Sequence, residues 1–203
     1  MSAVSLKHVG QFSLHLLLAF TLSACASKFS LPTQPDEHIG QDIRQLSHWQ
    51  ASGKASTRVF GKTVSGTFSW QRVGEGFEAE GAGPLGQGRT VVVGQEGIVL
   101  IQNSSIGTLY TDNPEKLSEE MAYTPIPPFH LNAWLSGWPK EAETAVSPMP
   151  EDQGVREFHE RDWHIQVISE QIIDNYRVPE RIIMTWDHRR VVVAINTWQA
   201  KAP

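Results

Sequence analysis

The stretch Val64-Ser65-Gly66-Thr67-Phe68-Ser69-Trp70 alternates apolar or small residues with hydroxyl-bearing ones. Side chains on a β-strand point to opposite faces in turn, so this period of two indicates a half-buried strand. Further segments have the same strand character and are separated by turn residues. They are 77–82, 89–93, 98–102, 108–111, 156–160, 163–168, 178–186 and 191–198.

Two helical segments interrupt these strands in the middle of the chain. The first is predicted to begin at Pro114, which suits the first turn of a helix, and it places Leu117 and Met121 on one face. The second is predicted over 129–136. Its apolar stripe has the spacing i, i+3, i+4 and i+7 and consists of Leu131, Trp134, Leu135 and Trp138.

The strands before and after the helices predict a mainly β, antiparallel fold with a helical insert. We also expect a short helix over 41–50 and a loop over 140–154. On the last strand, Val193 and Ile195 are expected to face one side and Trp198 the other. A single sheet that curls round the helices would bury the apolar faces of both the strands and the helices. The residue pattern leaves open whether the sheet closes fully or stays partly open.

The N-terminus predicts export. An apolar run over 12–22 follows Lys7 and is too short to span a bilayer, which is typical of a signal peptide. It ends in Leu-Ser-Ala-Cys, and Cys25 is the only cysteine in the chain. This ending resembles the lipobox of bacterial lipoproteins, which implies cleavage after residue 24 and acylation of Cys25. The alternative is an ordinary secretory signal that happens to contain a cysteine.

These features divide the 203 residues into three parts. Residues 1–24 are predicted as a cleaved signal peptide, 25–40 as a lipidated, flexible tether, and 41–203 as one folded domain. By resemblance to bacterial sorting signals, Ala26 and Ser27 after the cysteine favour the outer membrane, with the domain facing the periplasm.

Composition and motifs argue against several classes of function. The chain has 17 basic and 22 acidic residues and a net charge of -5, so we expect no nucleic-acid partner. No P-loop or GxGxxG motif stands before a helix and no GxSxG motif is present, so we predict neither an enzyme nor a cofactor. His159 and His164 do not match a zinc motif and are expected to face opposite sides of the sheet, so we predict no metal site.

Four stretches, in this order behind the lipobox, resemble the LolB family. They are 49–54 leading to 66–71; 83–86; 125–127 followed by Leu131, Trp134, Leu135, Gly137 and Pro139; and Val178-Pro179 followed by a hairpin that ends at 196–198. The resemblance implies an unclosed antiparallel β-barrel of about eleven strands with an internal lid of short α-helices. It also implies a monomer that accepts acylated lipoproteins from the periplasmic carrier LolA and inserts them among outer-membrane phospholipids.

Acylated cargo would need an apolar container, since each buried methylene group is worth about 0.8 kcal/mol. We predict that its lining consists of large apolar side chains, which are Phe68, Trp70, Phe77, Leu131, Trp134, Leu135 and Trp138. Any one of them is also compatible with plain core packing.

The loop Pro84-Leu85-Gly86 is the predicted membrane-insertion loop. Pro and Gly favour a turn, which would place Leu85 at a loop tip, and the resemblance implies that this leucine helps to insert the cargo. The alternative is a leucine that folds back onto its own hairpin.

Two other functions stay open: a lipid- or glycolipid-binding lipoprotein of related fold, and a structural lipoprotein of outer-membrane assembly.

Overall fold

The computed structural model describes residues 41–59, 62–105, 107–114 and 126–201. The strands are β1 (Gln41–Asp42), β2 (His48–Val59), β3 (Lys62–Val73), β4 (Gly76–Ala82), β5 (Thr90–Gln95), β6 (Ile98–Asn103), β7 (Gly107–Thr111), β8 (Val146–Pro148), β9 (Arg156–Glu160), β10 (Trp163–Ile173), β11 (Tyr176–Trp186) and β12 (Arg189–Ala200). One α-helix is described, α1 (Pro128–Trp134), together with 3₁₀ turns at Ile43–Gln45 and Pro84–Gly86.

Eleven strands form one antiparallel sheet in the order β7-β6-β5-β4-β3-β2-β12-β11-β10-β9-β8. Within the described residues β7 and β8 are its two edges, so the sheet is unclosed, and the predicted fold class is confirmed. The two residues of β1 pair in parallel with the beginning of β11. No helix in the described ranges has the length and apolar character to cross a bilayer.

Tight turns set the register of the strands. Arg161 and Asp162 both have positive φ, which is the geometry of the two-residue turn predicted there. Asp174 and Asn175 form a second turn of this kind, with φ of 50° and 66°. Asp and Asn tolerate the left-handed region, so the turn forms at these two residues. The strand β10 therefore continues to Ile173 instead of ending at residue 168 as predicted.

The concave face of the sheet carries the core, and a bulge corrects the prediction for Trp198. Val193 and Ile195 point inward as expected, but the pairing of β12 with β2 shifts register between Ile195 and Thr197. An extra residue in one strand reverses the alternation of the residues that follow. Trp198 therefore lies on the same side as Ile195, where its ring contacts Trp49 at 4.4 Å between centroids.

One helix prediction and one loop prediction were wrong. Residues 41–50 are not a helix, because Trp49 and Ala51 are both fully buried at alternate positions of β2, and this period belongs to a strand. Residues 140–154 are not only loop, since they include β8, in which Val146 pairs with Phe158. Three residues with a proline give too little pattern for a strand to be predicted from sequence.

The prediction that His159 and His164 face opposite sides was also wrong. The two residues are direct partners across the β9–β10 hairpin, and cross-strand partners share a face. Their rings stack with centroids 4.2 Å apart.

Helix α1 packs on the concave side of the sheet. The helix begins one residue before the predicted start at 129, with Pro127 preceding it and Pro128 in its first turn. The first predicted helix lies outside the described residues apart from its start at Pro114, so the described part of the lid is α1.

Candidate functional site

An apolar cavity of about 240 Å³ lies between α1 and the concave face of the sheet. Four of the predicted residues line it, two from β3 and two from the helical segment: Phe68, Trp70, Leu131 and Leu135. The rest of the lining is mostly small or aliphatic and comprises Ala55, Ser69, Ala79, Glu80, Gly81, Thr90, Val92, Ile126, Met184, Val191 and Val193. The strand alternation could have identified Val92, Val191 and Val193, which occupy inward positions of predicted strands.

Three predicted lining residues lie elsewhere. Phe77 is buried and stacks on Trp70 with 4.5 Å between ring centroids, so it supports the cavity wall from behind. Trp134 is fully buried and donates its Nε1–H to Glu160. Trp138 lies between the guanidinium groups of Arg44 and Arg156, at 4.0 and 4.1 Å from its ring centre. The apolar stripe of the helical segment is therefore shared between the cavity, the core and a cation–π stack.

A polar contact attaches α1 to the β3–β4 hairpin. Trp70 Nε1 donates to Asn132 Oδ1 at 3.0 Å, and Asn132 Nδ2 donates to the carbonyl of Gly76 at 3.3 Å. Both side chains are buried, and a buried polar group needs such partners to avoid a desolvation cost. Asn132 was not among the predicted site residues, because an amide within an amphipathic helix gives no signal of its own.

A carboxylate attaches the other side of the helical segment to β9. Glu160 is buried, and one of its oxygens accepts hydrogen bonds from Trp134 Nε1 and the backbone N–H of Lys140. The other oxygen accepts from the N–H of Glu141 at 2.7 Å and from the Thr144 hydroxyl at 3.3 Å. Four donors from one segment thus converge on a single charged acceptor, which fixes the segment against the sheet.

Among the described residues, one group has a spacing that a metal ion could bridge: His130, Glu141 and Glu160. His130 Nε2 lies 3.3 Å from a Glu141 oxygen, and burial, together with the positive charge of Arg161, lowers the pKa of this histidine. The Glu160 oxygens are already engaged by four donors within the protein. We therefore assign the group a structural role.

Leu85 protrudes from the loop between β4 and β5. Its side chain is 98% exposed, and its φ of 61° is in the left-handed region, which is uncommon for a residue other than Gly, Asn or Asp. Hydrogen bonds from Gly83 N to Gln87 O (2.8 Å) and from Gly86 N to Gly83 O (3.0 Å) close the loop beneath it. The leucine does not fold back on its own hairpin.

The base of this loop is also the rim of the cavity. Gly81 and Thr90 are partners across the β4–β5 pair, and both line the cavity. Arg89 holds Glu80 through two hydrogen bonds of 2.6 and 2.7 Å, and this contact lowers the pKa of the exposed carboxyl. The exposed apolar tip therefore extends directly from the edge of the apolar cavity.

The predicted lipidation site, Cys25, and the predicted boundaries after residues 24 and 40 lie outside the described residues, so they stay predictions.

Comparison with known proteins agrees with this architecture. The chain is 27% identical over 204 residues to the outer-membrane lipoprotein LolB of Pseudomonas syringae pv. syringae, and the match covers 97% of each chain. It is 28% identical over 162 residues to LolB of Pseudomonas aeruginosa PAO1, covering 79% of this chain and 78% of the other.

Solved structures share the fold at low sequence identity. A LolA superfamily protein from Nitrosomonas europaea superposes with a TM-score of 0.53 at 8% identity, covering 78% of this chain and 88% of the other. A DUF1329 family protein from Desulfovibrio piger gives a TM-score of 0.51 at 9% identity, with the same coverage. The sequence model of the family described as outer membrane lipoprotein LolB matches residues 47–198. The chain therefore belongs to the LolB family of outer-membrane lipoproteins.

Proposed function

We propose that this protein accepts acylated lipoproteins from the carrier LolA in its apolar cavity and inserts them into the outer membrane. Cys25 would carry the lipid anchor, and the folded domain would face the periplasm. One observation carries the proposal: an apolar cavity has an almost fully exposed leucine on the loop at its rim. A lining of this kind suits fatty chains, which offer no polar groups to recognise.

The cavity has to widen to hold its cargo. Its volume of about 240 Å³ is below the roughly 300–1,000 Å³ of sites that hold drug-sized ligands, and cargo with several acyl chains is larger still. Separation of α1 from the sheet would extend the space between apolar surfaces. The released acyl groups would then leave past the rim formed by Gly81 and Thr90.

Leu85 is suited to contact a bilayer but not to anchor the protein there. Burial of one leucine in lipid contributes about 1.5–3 kcal/mol, which favours docking and remains reversible. A stable attachment requires several acyl chains, which the modified Cys25 would supply. We assign Leu85 to the delivery step, together with Pro84 and Gly86, which shape its loop.

The test is transfer of a radiolabelled lipoprotein from its LolA complex to liposomes by the Leu85→Glu variant. We expect the variant to fold and to take cargo from LolA but to deliver at most a small fraction of it. Ile172→Glu is the matched control, because Ile172 is also an exposed apolar residue (60%) and lies at the far end of β10.

Each outcome bears on a different part of the proposal. Delivery by Leu85→Glu at the wild-type rate would refute the role of the loop. Failure of the wild-type protein to take cargo from LolA would refute the receptor function and favour a lipoprotein that binds lipid or glycolipid on its own.

A further inference from the structure

We propose that the end of the sheet beside the Leu85 loop is a docking surface for anionic phospholipid headgroups. The inference rests on the proposed function, in which Leu85 contacts a bilayer. It adds the lipid chemistry that the surface would recognise, and it assigns this recognition to three cations, Arg58, Lys62 and Arg190.

Strand pairing brings these cations to the same end as Leu85. Thr67 of β3 is the partner of Ala82, the last residue of β4 before the loop, and β3 continues beyond this pair to its first residue, Lys62. Lys62 pairs with Val59 of β2, next to Arg58. Thr57 of β2 pairs with Val191 of β12, which follows Arg190. The Leu85 loop, the paired ends of β2 and β3 and the β11–β12 turn thus lie along one end of adjoining strands.

The three cations are available to a partner. Arg58, Lys62 and Arg190 are all exposed, and within the described part of the chain none of them forms an ion pair. Two of the acidic residues at this end are partnered, since Asp187 is bound by His188 and Glu80 is held by Arg89. A third, Asp162, lies in the β9–β10 turn, farther from the Leu85 loop along the strand order.

The charge at this end runs against the charge of the whole protein. The chain carries a net charge of -5, and the turns at the opposite ends of the same and adjoining strands contain Glu75, Glu96 and Asp174. A basic end on an acidic protein orients it towards an anionic surface.

Apolar residues beside the cations favour a membrane over another anionic partner. Leu85 is 98% exposed, and Val64, two residues from Lys62, is 54% exposed. An apolar tip with Lys and Arg nearby matches the acyl and headgroup regions of one membrane leaflet, because the tip enters the acyl region while the cations remain among the phosphates.

The test measures sedimentation of the mature chain with vesicles, using Cys25→Ala so that no acyl anchor dominates the binding. Vesicles of phosphatidylcholine alone are compared with vesicles in which one third of the lipid is phosphatidylglycerol. The test variant is Arg58→Gln with Arg190→Gln. The control is Arg181→Gln with Lys201→Gln, which removes the same charge from two exposed cations away from this end that, within the described residues, form no ion pair.

We expect the Cys25→Ala chain with all of its cations to prefer the anionic vesicles, and this preference should weaken as salt is added. The test variant should bind them about fivefold more weakly for each cation removed, and its binding to neutral vesicles should not change. The control should bind both as the unsubstituted chain does. Equal urea midpoints for all three proteins would show that the charge changes leave the fold intact.

Unchanged binding of the test variant to anionic vesicles would overturn the inference. If that variant also lost cargo uptake from LolA, the basic end would be assigned to the carrier instead. The proposed function stands in this case if Leu85→Glu still blocks delivery, whereas normal delivery by Leu85→Glu would refute the role of the Leu85 loop.

Discussion

Glu160 is the side chain whose replacement should do most to loosen the helical segment. In Glu160→Gln one of the two acceptor oxygens becomes an NH₂ group, so two of the four hydrogen bonds are lost and their donors face another donor. A hydrogen bond to a charged group contributes about 1.5–3 kcal/mol, so the loss of two predicts a destabilisation of about 3–6 kcal/mol. For a domain of this size that lowers Tm by about 10 °C.

Urea unfolding followed by tryptophan fluorescence measures this effect, because Trp134 donates directly to Glu160. Glu143→Gln is the matched control, since Glu143 lies in the same segment and is exposed; its replacement should change stability by less than about 0.5 kcal/mol. A Glu160→Gln protein with the urea midpoint of the wild type would refute the reasoning that these four contacts fix the segment.

Two further predictions concern other contacts of the core. Burial lowers the pKa of His130, so near the ordinary histidine pKa of about 6.5 the unfolded chain binds more protons than the folded protein. The stability of the wild-type protein should therefore fall as the pH drops through that value. His130→Gln should make the urea midpoint less dependent on pH in this range. A Cβ on Gly94 would come within 2.2 Å of the buried Phe77 ring. Gly94→Ala should therefore destabilise the protein by about 1–3 kcal/mol in the same urea measurement. An unchanged urea midpoint would show that the ring can move away.

The alternation of side chains predicted most of the sheet. The segments 77–82 and 98–102 match β4 and β6 to within one residue, because turn residues bound both of them; the first alternates with a period of two, and the second is a short run rich in β-branched residues. Leu131 and Leu135 were likewise found in the cavity lining, since helical spacing and apolar character coincide there. Local sequence therefore predicts an element and its apolar face when the backbone is regular.

Pairing between strands is what local sequence did not reveal. The side on which Trp198 lies depends on a bulge that forms against β2, about 145 residues earlier in the chain. The stacking of His159 on His164 depends on the register of the hairpin rather than on their separation of five residues. The role of Trp134 depended on Glu160, a polar partner that apolar periodicity does not identify.

The two attachments of the helical segment differ in strength, and this difference determines how the cavity can open. On the β9 side, four hydrogen bonds end on the charged Glu160, each worth about 1.5–3 kcal/mol. On the β3–β4 side, the attachment is the neutral bond from Trp70 to Asn132, worth about 0.5–1.5 kcal/mol, and a weaker contact with Gly76. Entering acyl chains would therefore separate α1 from β3 and β4 first, because that separation costs less. The contact with Gly76 lies at the first residue of β4, beside the β3–β4 turn, whereas the Leu85 loop follows the last residue, Ala82. Acyl chains that separate α1 there would therefore have to move along β4 to reach the Leu85 loop in the proposed delivery step.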